Sequence, residues 1–125
     1  MAYEDKIRVR VIQKHRDGVT VECALGAELM NGAGILHGGV IATIADEAAW
    51  HALIHAYKGK RPMTTTELKV NYLRPIVGKK MTARAYVLRA GKTLGVTRVD
   101  LFDSERRLSA VGMVTYMLLD NQKGG

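Results

Sequence analysis

The chain has 125 residues, one domain's worth, and a domain of that size buries roughly two-thirds of its unfolded surface, enough for a core without staples. Hydrophobic residues make up 47% and charged residues 25%, which excludes a disordered chain; one cysteine, Cys23, excludes an internal disulfide and a cysteine-based metal cluster and suits a reducing cytoplasm. Nineteen Lys and Arg against twelve Asp and Glu give a formal charge of +7, spread from Lys6 to Lys123 with one Phe and one Trp. A nucleic-acid surface clusters its basic residues or interleaves them with aromatics, so the charge reads instead as solubility or as a site for a phosphate-bearing ligand. The longest nearly apolar run, Val40 to Ile54, holds Asp46, Glu47 and His51 and is too short and too charged to cross a bilayer. The leading MAYEDKIRVR lacks the apolar stretch of a signal peptide. These features lead us to expect a cytoplasmic protein of one domain, 1–125, that binds neither nucleic acid nor membrane.

Residues Ile7 to Gln13 alternate, with Ile7, Val9 and Val11 on one face and Arg8 and Arg10 on the other, which predicts a half-exposed strand. Asp17-Gly18 is a hairpin signal and Val19 to Ala24 alternates again. Gly26 to Leu36, rich in glycine, reads as a loop. From Val40 to about Tyr57 the period changes: there is no Gly or Pro, and Ile41, Ile44, Ala45, Ala48, Ala52 and Ala56 share one helical stripe. Val40, Ala42, Ala49, Trp50 and Leu53 make the rest largely apolar, so the predicted helix is buried, with Gly59 ending it. Beyond Pro62, four long strands are predicted over Thr64 to Leu73, Met81 to Leu88, Thr93 to Phe102 and Leu108 to Leu119, separated by turn signals. The tail from Asn121 to Gly125 is expected to fray. Consecutive strands on short loops imply a largely antiparallel sheet. The expected fold class is α+β: a curved sheet of about six strands wrapped around one long central helix.

The run Asn31-Gly-Ala-Gly-Ile-Leu-His37-Gly38-Gly39-Val40 leads into that helix, and Asp46 follows in its second turn. Free N–H groups at a helix start attract negative charge, and Gly38 and Gly39 keep no side chain between them and a ligand. A thioester or ester carbonyl there would be polarised and its tetrahedral oxyanion stabilised. Asp46 is a carboxylate on an otherwise apolar helix, which is costly unless the charge is used or paired. Plainer roles stand beside each: the glycines as a turn, His37 as a residue near the cap, Asp46 as partner of a basic strand residue. His51 and His55 stand four apart, a spacing that can hold zinc, but no third ligand lies nearby and no metal is expected. Met30, Met63, Met81, Met113 and Met117 read as core or pocket lining.

Taken together, NGAGILHGGV, the helix segment IADEA, the strand TTTELKVNYLRP and the RAGKT segment resemble the hot-dog-fold acyl-CoA thioesterases of the phenylacetic-acid-degradation (PaaI-like) branch, over roughly Ile7 to Leu119. The resemblance implies hydrolysis of an aryl- or medium-chain acyl-CoA, with coenzyme A as part of the substrate and no separate cofactor. It implies that Asp46 is the catalytic carboxylate, as general base or as nucleophile, and that the Gly38 N–H is the oxyanion donor. Asn31 and His37 would position thioester or water, and Thr65 would orient the water, with Thr64 or Thr66 as alternatives one place away. Gly39 would border the same loop, Arg89, Lys92 and Thr93 would lie near the pantetheine and phosphates of coenzyme A, and Trp50, with Ala49 and Leu53, would line the acyl pocket.

Spacing adds an inference of its own. Eight helical residues at a rise of about 1.5 Å separate Gly38 and Asp46 by roughly 12 Å along the axis. Both must approach one carbonyl to within about 3 Å, so Asp46 of one chain is expected to face the Gly38 loop of another. The expected active unit is a homodimer, and the family implies tetramers built from such dimers. Two other readings stay open: a non-catalytic acyl-CoA sensor of the same fold, and a dehydratase of 3-hydroxyacyl thioesters.

Overall fold

In the computed structural model, which describes residues 7–120, the chain forms β1 (Val9–His15), β2 (Gly18–Ala24), a short 3-10 turn (Ala27–Leu29), α1 (Gly38–Ala56), β3 (Met63–Tyr72), β4 (Lys80–Ala90), β5 (Leu94–Phe102) and β6 (Leu108–Leu118). Residues 1–6, the start of the segment that lacks a signal-peptide stretch, and the tail 121–125, expected to fray, lie outside the described residues. All six strands join one sheet in the order β1-β2-β4-β5-β6-β3, and every pair is antiparallel. The expected curved sheet around one helix is thus observed. β3 follows the helix in sequence but pairs only with β6, at the edge of the sheet opposite β1.

α1 lies against one face of the sheet. Val40, Ile41, Ile44, Ala45, Ala48, Ala49, Ala52 and Leu53 are buried there. Against them pack the alternate residues Val19, Val21 and Cys23 of β2, Met81, Ala83 and Ala85 of β4, Val99 and Leu101 of β5, and Ala110 and Val114 of β6. Small residues on both sides let the layers approach closely. A Cβ added at Gly112 would stand 3.6 Å from the Ala45 methyl, and one at Gly95 only 2.7 Å from a Leu53 methyl. Cys23 faces this core, where burial pushes its thiol up.

Several sequence expectations need correction. The helix starts at Gly38 instead of Val40, which makes Asp46 its ninth residue, in the third turn. Ala56, assigned to the buried stripe, is exposed beyond the sheet. Ala49 and Leu53, expected in an acyl pocket, are fully buried against the chain's own sheet. Gly59 does not itself supply the left-handed stop. Lys58 does, at φ 61°, while its N–H bonds the His55 carbonyl and the Gly59 N–H bonds the Ile54 carbonyl, a Schellman ending with lysine where glycine is usual. The strict alternation read in the strands is also broken four times, by irregularities at Ile12, Thr66, Leu88 and Ser109.

Candidate active site

The bulge in β3 decides what α1 meets. Thr65 pairs with Tyr116 of β6, and after the extra residue Thr66 the register resumes at Glu67 opposite Thr115. Thr65 and Tyr116 therefore stand side by side on the helix-facing side, opposite Asp46. The Thr65 hydroxyl donates to Asp46 Oδ1 at 2.8 Å and the Tyr116 hydroxyl donates to the same oxygen at 2.7 Å. The Tyr116 hydroxyl also lies 3.1 Å from the Asp46 carbonyl, which closes the arrangement onto the helix backbone. Thr64 is exposed, and the Thr66 hydroxyl bonds the Thr115 carbonyl, so of the three threonines Thr65 is the one that reaches Asp46.

Asp46 is half-buried, and no cation among the described residues pairs with it. Both hydroxyls land on Oδ1, so Oδ2 is the oxygen left to act on something else. Burial, chiefly, pushes the Tyr116 hydroxyl well above the ordinary tyrosine range; the Thr65 contact pulls it down and the Asp46 carboxylate pushes it further up. Tyr116 therefore keeps its proton and remains a donor. An open cleft of about 440 Å³ lies beside the pair, lined by Glu47, Trp50, Met63, Thr64, Thr65 and Tyr116. The Glu47 carboxyl reaches solvent yet is held above its ordinary value, by partial desolvation first and by Asp46 second. Trp50 forms one wall and meets His51 edge-on at 5.1 Å.

The glycine loop lies at the other end of the helix. His37 is the N-cap residue; its carbonyl accepts from the N–H groups of Val40 and Ile41, and its imidazole makes no capping bond. The N–H groups of Gly38 and Gly39, at the helix start, have no place in the intrahelical ladder. Both residues are exposed, and the Gly38 carbonyl accepts from the Tyr72 hydroxyl at 2.8 Å. Asn31 Oδ1 accepts from the N–H groups of Ala33 and Ile35 at 2.9 and 3.1 Å, tying the loop to itself. Only its Nδ2 is left to reach outward.

Arg89, Lys92 and Thr93 lie at the β4–β5 hairpin, exposed, near the C-terminal end of α1. The Tyr57 hydroxyl ties helix to hairpin through the Gly91 carbonyl at 2.7 Å, and the Arg61 guanidinium lies 4.9 Å over the Tyr57 ring. Gly38, Asp46 and this hairpin thus follow one another along α1 instead of converging. His51 and His55 do not converge either: His55 Nε2 lies 2.9 Å from the His15 carbonyl and His51 meets Trp50. Among the described residues no cluster of three or more metal-ligating side chains occurs, and no helix is long and apolar enough to cross a membrane.

Residues 33–110 match the family described as the thioesterase superfamily. The chain belongs to that superfamily. Its relatives include the medium/long-chain acyl-CoA thioesterase YigI of Escherichia coli K12, 36% identical over 97 residues. That alignment takes in 67% of this chain and 63% of the relative. Human acyl-coenzyme A thioesterase 13 is 36% identical over 84 residues, 66% of this chain and 59% of that protein. The chain therefore spans less than two-thirds of the length of these relatives. Among solved structures, a thioesterase of Haemophilus influenzae superposes with TM-score 0.84 at 22% identity, over 94% of this chain and 82% of that one. The E. coli PaaI protein of the phenylacetic acid degradation operon gives 0.78 at 21% identity, over 89% and 79%. These likenesses show the fold, and the superfamily member described here has the expected hot-dog architecture.

Tyr116 is the residue that the sequence did not reveal. Its alternation within β6 puts it on the helix face, but its neighbour Thr65 belongs to a strand more than forty residues earlier. Only the β3–β6 pairing joins them.

Proposed function

We propose that the chain hydrolyses acyl-CoA thioesters to a free acid and coenzyme A, in the cytoplasm, and that Asp46 carries the chemistry. The observation behind this reading is the Asp46 carboxylate, unpaired by any cation among the described residues and fixed through one oxygen by the Thr65 and Tyr116 hydroxyls at the edge of a cleft. As general base, Oδ2 takes a proton from water while the water oxygen bonds to the thioester carbon. The carbonyl electrons move onto oxygen, held by the Gly38 N–H, then return as the C–S bond breaks and the thiolate leaves with the proton. As nucleophile, the same oxygen would bond to the carbon, expel the thiolate and form an anhydride that water then cleaves. Binding Oδ1 twice orients Oδ2 for either route.

In this proposal the site spans two chains, because Gly38 and Asp46 are separated by roughly 12 Å along one straight helix. Asp46 of one protomer faces the Gly38, Gly39, His37 and Asn31 loop of its partner, and two such dimers form a tetramer. His37 and the Asn31 amide contact thioester or water from that loop. The hairpin bearing Arg89, Lys92 and Thr93 lies about 16 Å further along the helix axis than Asp46, suited to the phosphates at the far end of an extended thiol carrier. Trp50 walls the acyl end, which favours aryl or medium-length chains, and the medium/long-chain relative points the same way. The test is thiol release from a panel of aryl- and alkyl-CoA esters. Turnover of one class would support the proposal and rank the chains. Tight binding without release would favour the acyl-CoA sensor.

A further inference from the structure

A second cavity is larger than the Asp46 cleft. It is a groove of about 640 Å³ on the opposite flank of α1, between the helix's C-terminal half and the β1–β2 hairpin. That size falls within the range of small-molecule sites. Its floor is apolar, made by Val11 and Val19 from the strands and Ile54 from the helix. Its rim carries Lys14, Lys58 and Lys60, with His51 and His55 between them, and among the described residues no carboxylate lines it.

On the outer face of the sheet three arginines are neutralised: Arg10 by Glu22, Arg84 by Asp17 and Arg98 by Asp100. Lys14, Lys58 and Lys60 have no carboxylate partner among the described residues. A helix C-terminus would ordinarily repel an anion. Here the carbonyls of Leu53, Ile54 and His55 already accept from the N–H groups of Tyr57, Gly59 and Lys58, so the end is closed off. A lysine also occupies the left-handed cap position, where glycine would be less strained, and this places one more cation at the rim.

We propose that this groove binds an amphiphile with one anionic head, specifically a medium-chain fatty acid. The tail would lie on Val11, Val19 and Ile54, and the carboxylate would meet Lys14, Lys58 and Lys60. Bare phosphate would leave the apolar floor uncovered, and a neutral lipid would leave the lysines unused. Binding does not depend on the proposed hydrolysis; only the further idea that the groove holds the released acid does. Trp50, the single tryptophan, joins the two flanks: it walls the Asp46 cleft, touches His51 edge-on, and has the Lys60 ammonium 5.9 Å over its ring.

The test is calorimetric titration of the intact protein with octanoate, decanoate, decylamine and inorganic phosphate, with Trp50 fluorescence read alongside. Decanoate should bind about tenfold tighter than octanoate, as burial of two further methylenes requires, and decylamine and phosphate should not compete. The Lys14→Glu/Lys58→Glu pair should weaken decanoate at least about tenfold, while Asp46→Ala leaves it unchanged. Both lysines are exposed, and Lys14→Gln/Lys58→Gln gives the same reading, more weakly, should the reversal disturb folding. Absence of decanoate binding, or binding that ignores the lysines but is lost with Asp46, would overturn the assignment. So would a change in oligomeric mass on charge reversal without loss of fatty-acid affinity, which would make the groove a subunit contact.

Discussion

The two flanks of α1 carry opposite chemistry from the same nineteen residues. Toward β3 and β6 the helix presents Asp46 and Glu47, and the strands answer Asp46 with hydroxyls that hold a carboxylate without neutralising it. Toward β1 and β2 it presents His51 and His55, and the surroundings supply lysines over an apolar floor. On the outer face of the sheet, by contrast, Arg10, Arg84 and Arg98 each meet a carboxylate. Charge that is exposed and paired there contributes little to stability. On the two helix flanks charge of one sign is concentrated without a counter-ion among the described residues, and such sites serve ligands more readily than stability.

Changes on the acidic flank sharpen the contrast most. Asp46→Ala should lower kcat for acyl-CoA by at least about a hundredfold while circular dichroism stays native, the scale of losing a positioned base. Thr65→Val and Tyr116→Phe should each lower kcat about tenfold or more, since each removes one hydrogen bond to a charged group and loosens Asp46. Equal kcat in the wild type and in both variants would show that Oδ1 needs no support.

Elsewhere the effects should fall on stability instead. Asp103, in the β5–β6 turn, accepts from the backbone N–H groups of Arg107 and Glu105 and from the Arg107 guanidinium. The backbone bond from Arg107, chiefly, holds its carboxyl below the ordinary 3.8. A carboxyl lowered on folding stabilises above its unfolded value and loses that contribution as pH falls through the folded one. Asp103→Asn should therefore lower the melting temperature at neutral pH and remove part of the wild type's decline below about pH 4. A parallel acid limb in both proteins would count against it. The smallest effect is expected at Arg106, held at φ 65° in the same turn: Arg106→Gly should raise stability by about 1 kcal/mol, read by denaturant unfolding.

How far the sequence could be read depended on whether a feature was local. The period-3.6 stripe marked α1 and the period-2 runs marked the six strands, because burial on one face writes itself into neighbouring residues. The glycine loop and Asp46 were legible for a similar reason, as a helix start and a charge on an apolar helix. The bulge at Thr66 was not, since Met63 to Tyr72 alternates without a Gly or Pro to signal an extra residue. Tyr116 was hidden because β3 crosses to the far edge and meets β6, a pairing fixed by tertiary packing. Ala49 and Leu53 show the reverse error: one and two turns from Asp46 in sequence, they rotate onto the sheet and join the core.

The central claim is that Asp46 and the Gly38 N–H serve one carbonyl from two chains. It is tested most directly by mixing two inactive proteins, Asp46→Ala and Gly38→Val, under conditions that exchange subunits. A Cβ at Gly38 would meet nothing closer than the Tyr72 ring at 3.4 Å, so the second variant should fold. In a twofold dimer with shared sites, each hybrid keeps one site with both groups intact. Random exchange should then restore about a quarter of wild-type thiol release. No recovery in hybrids verified by mass would place both groups in one chain and contradict the account.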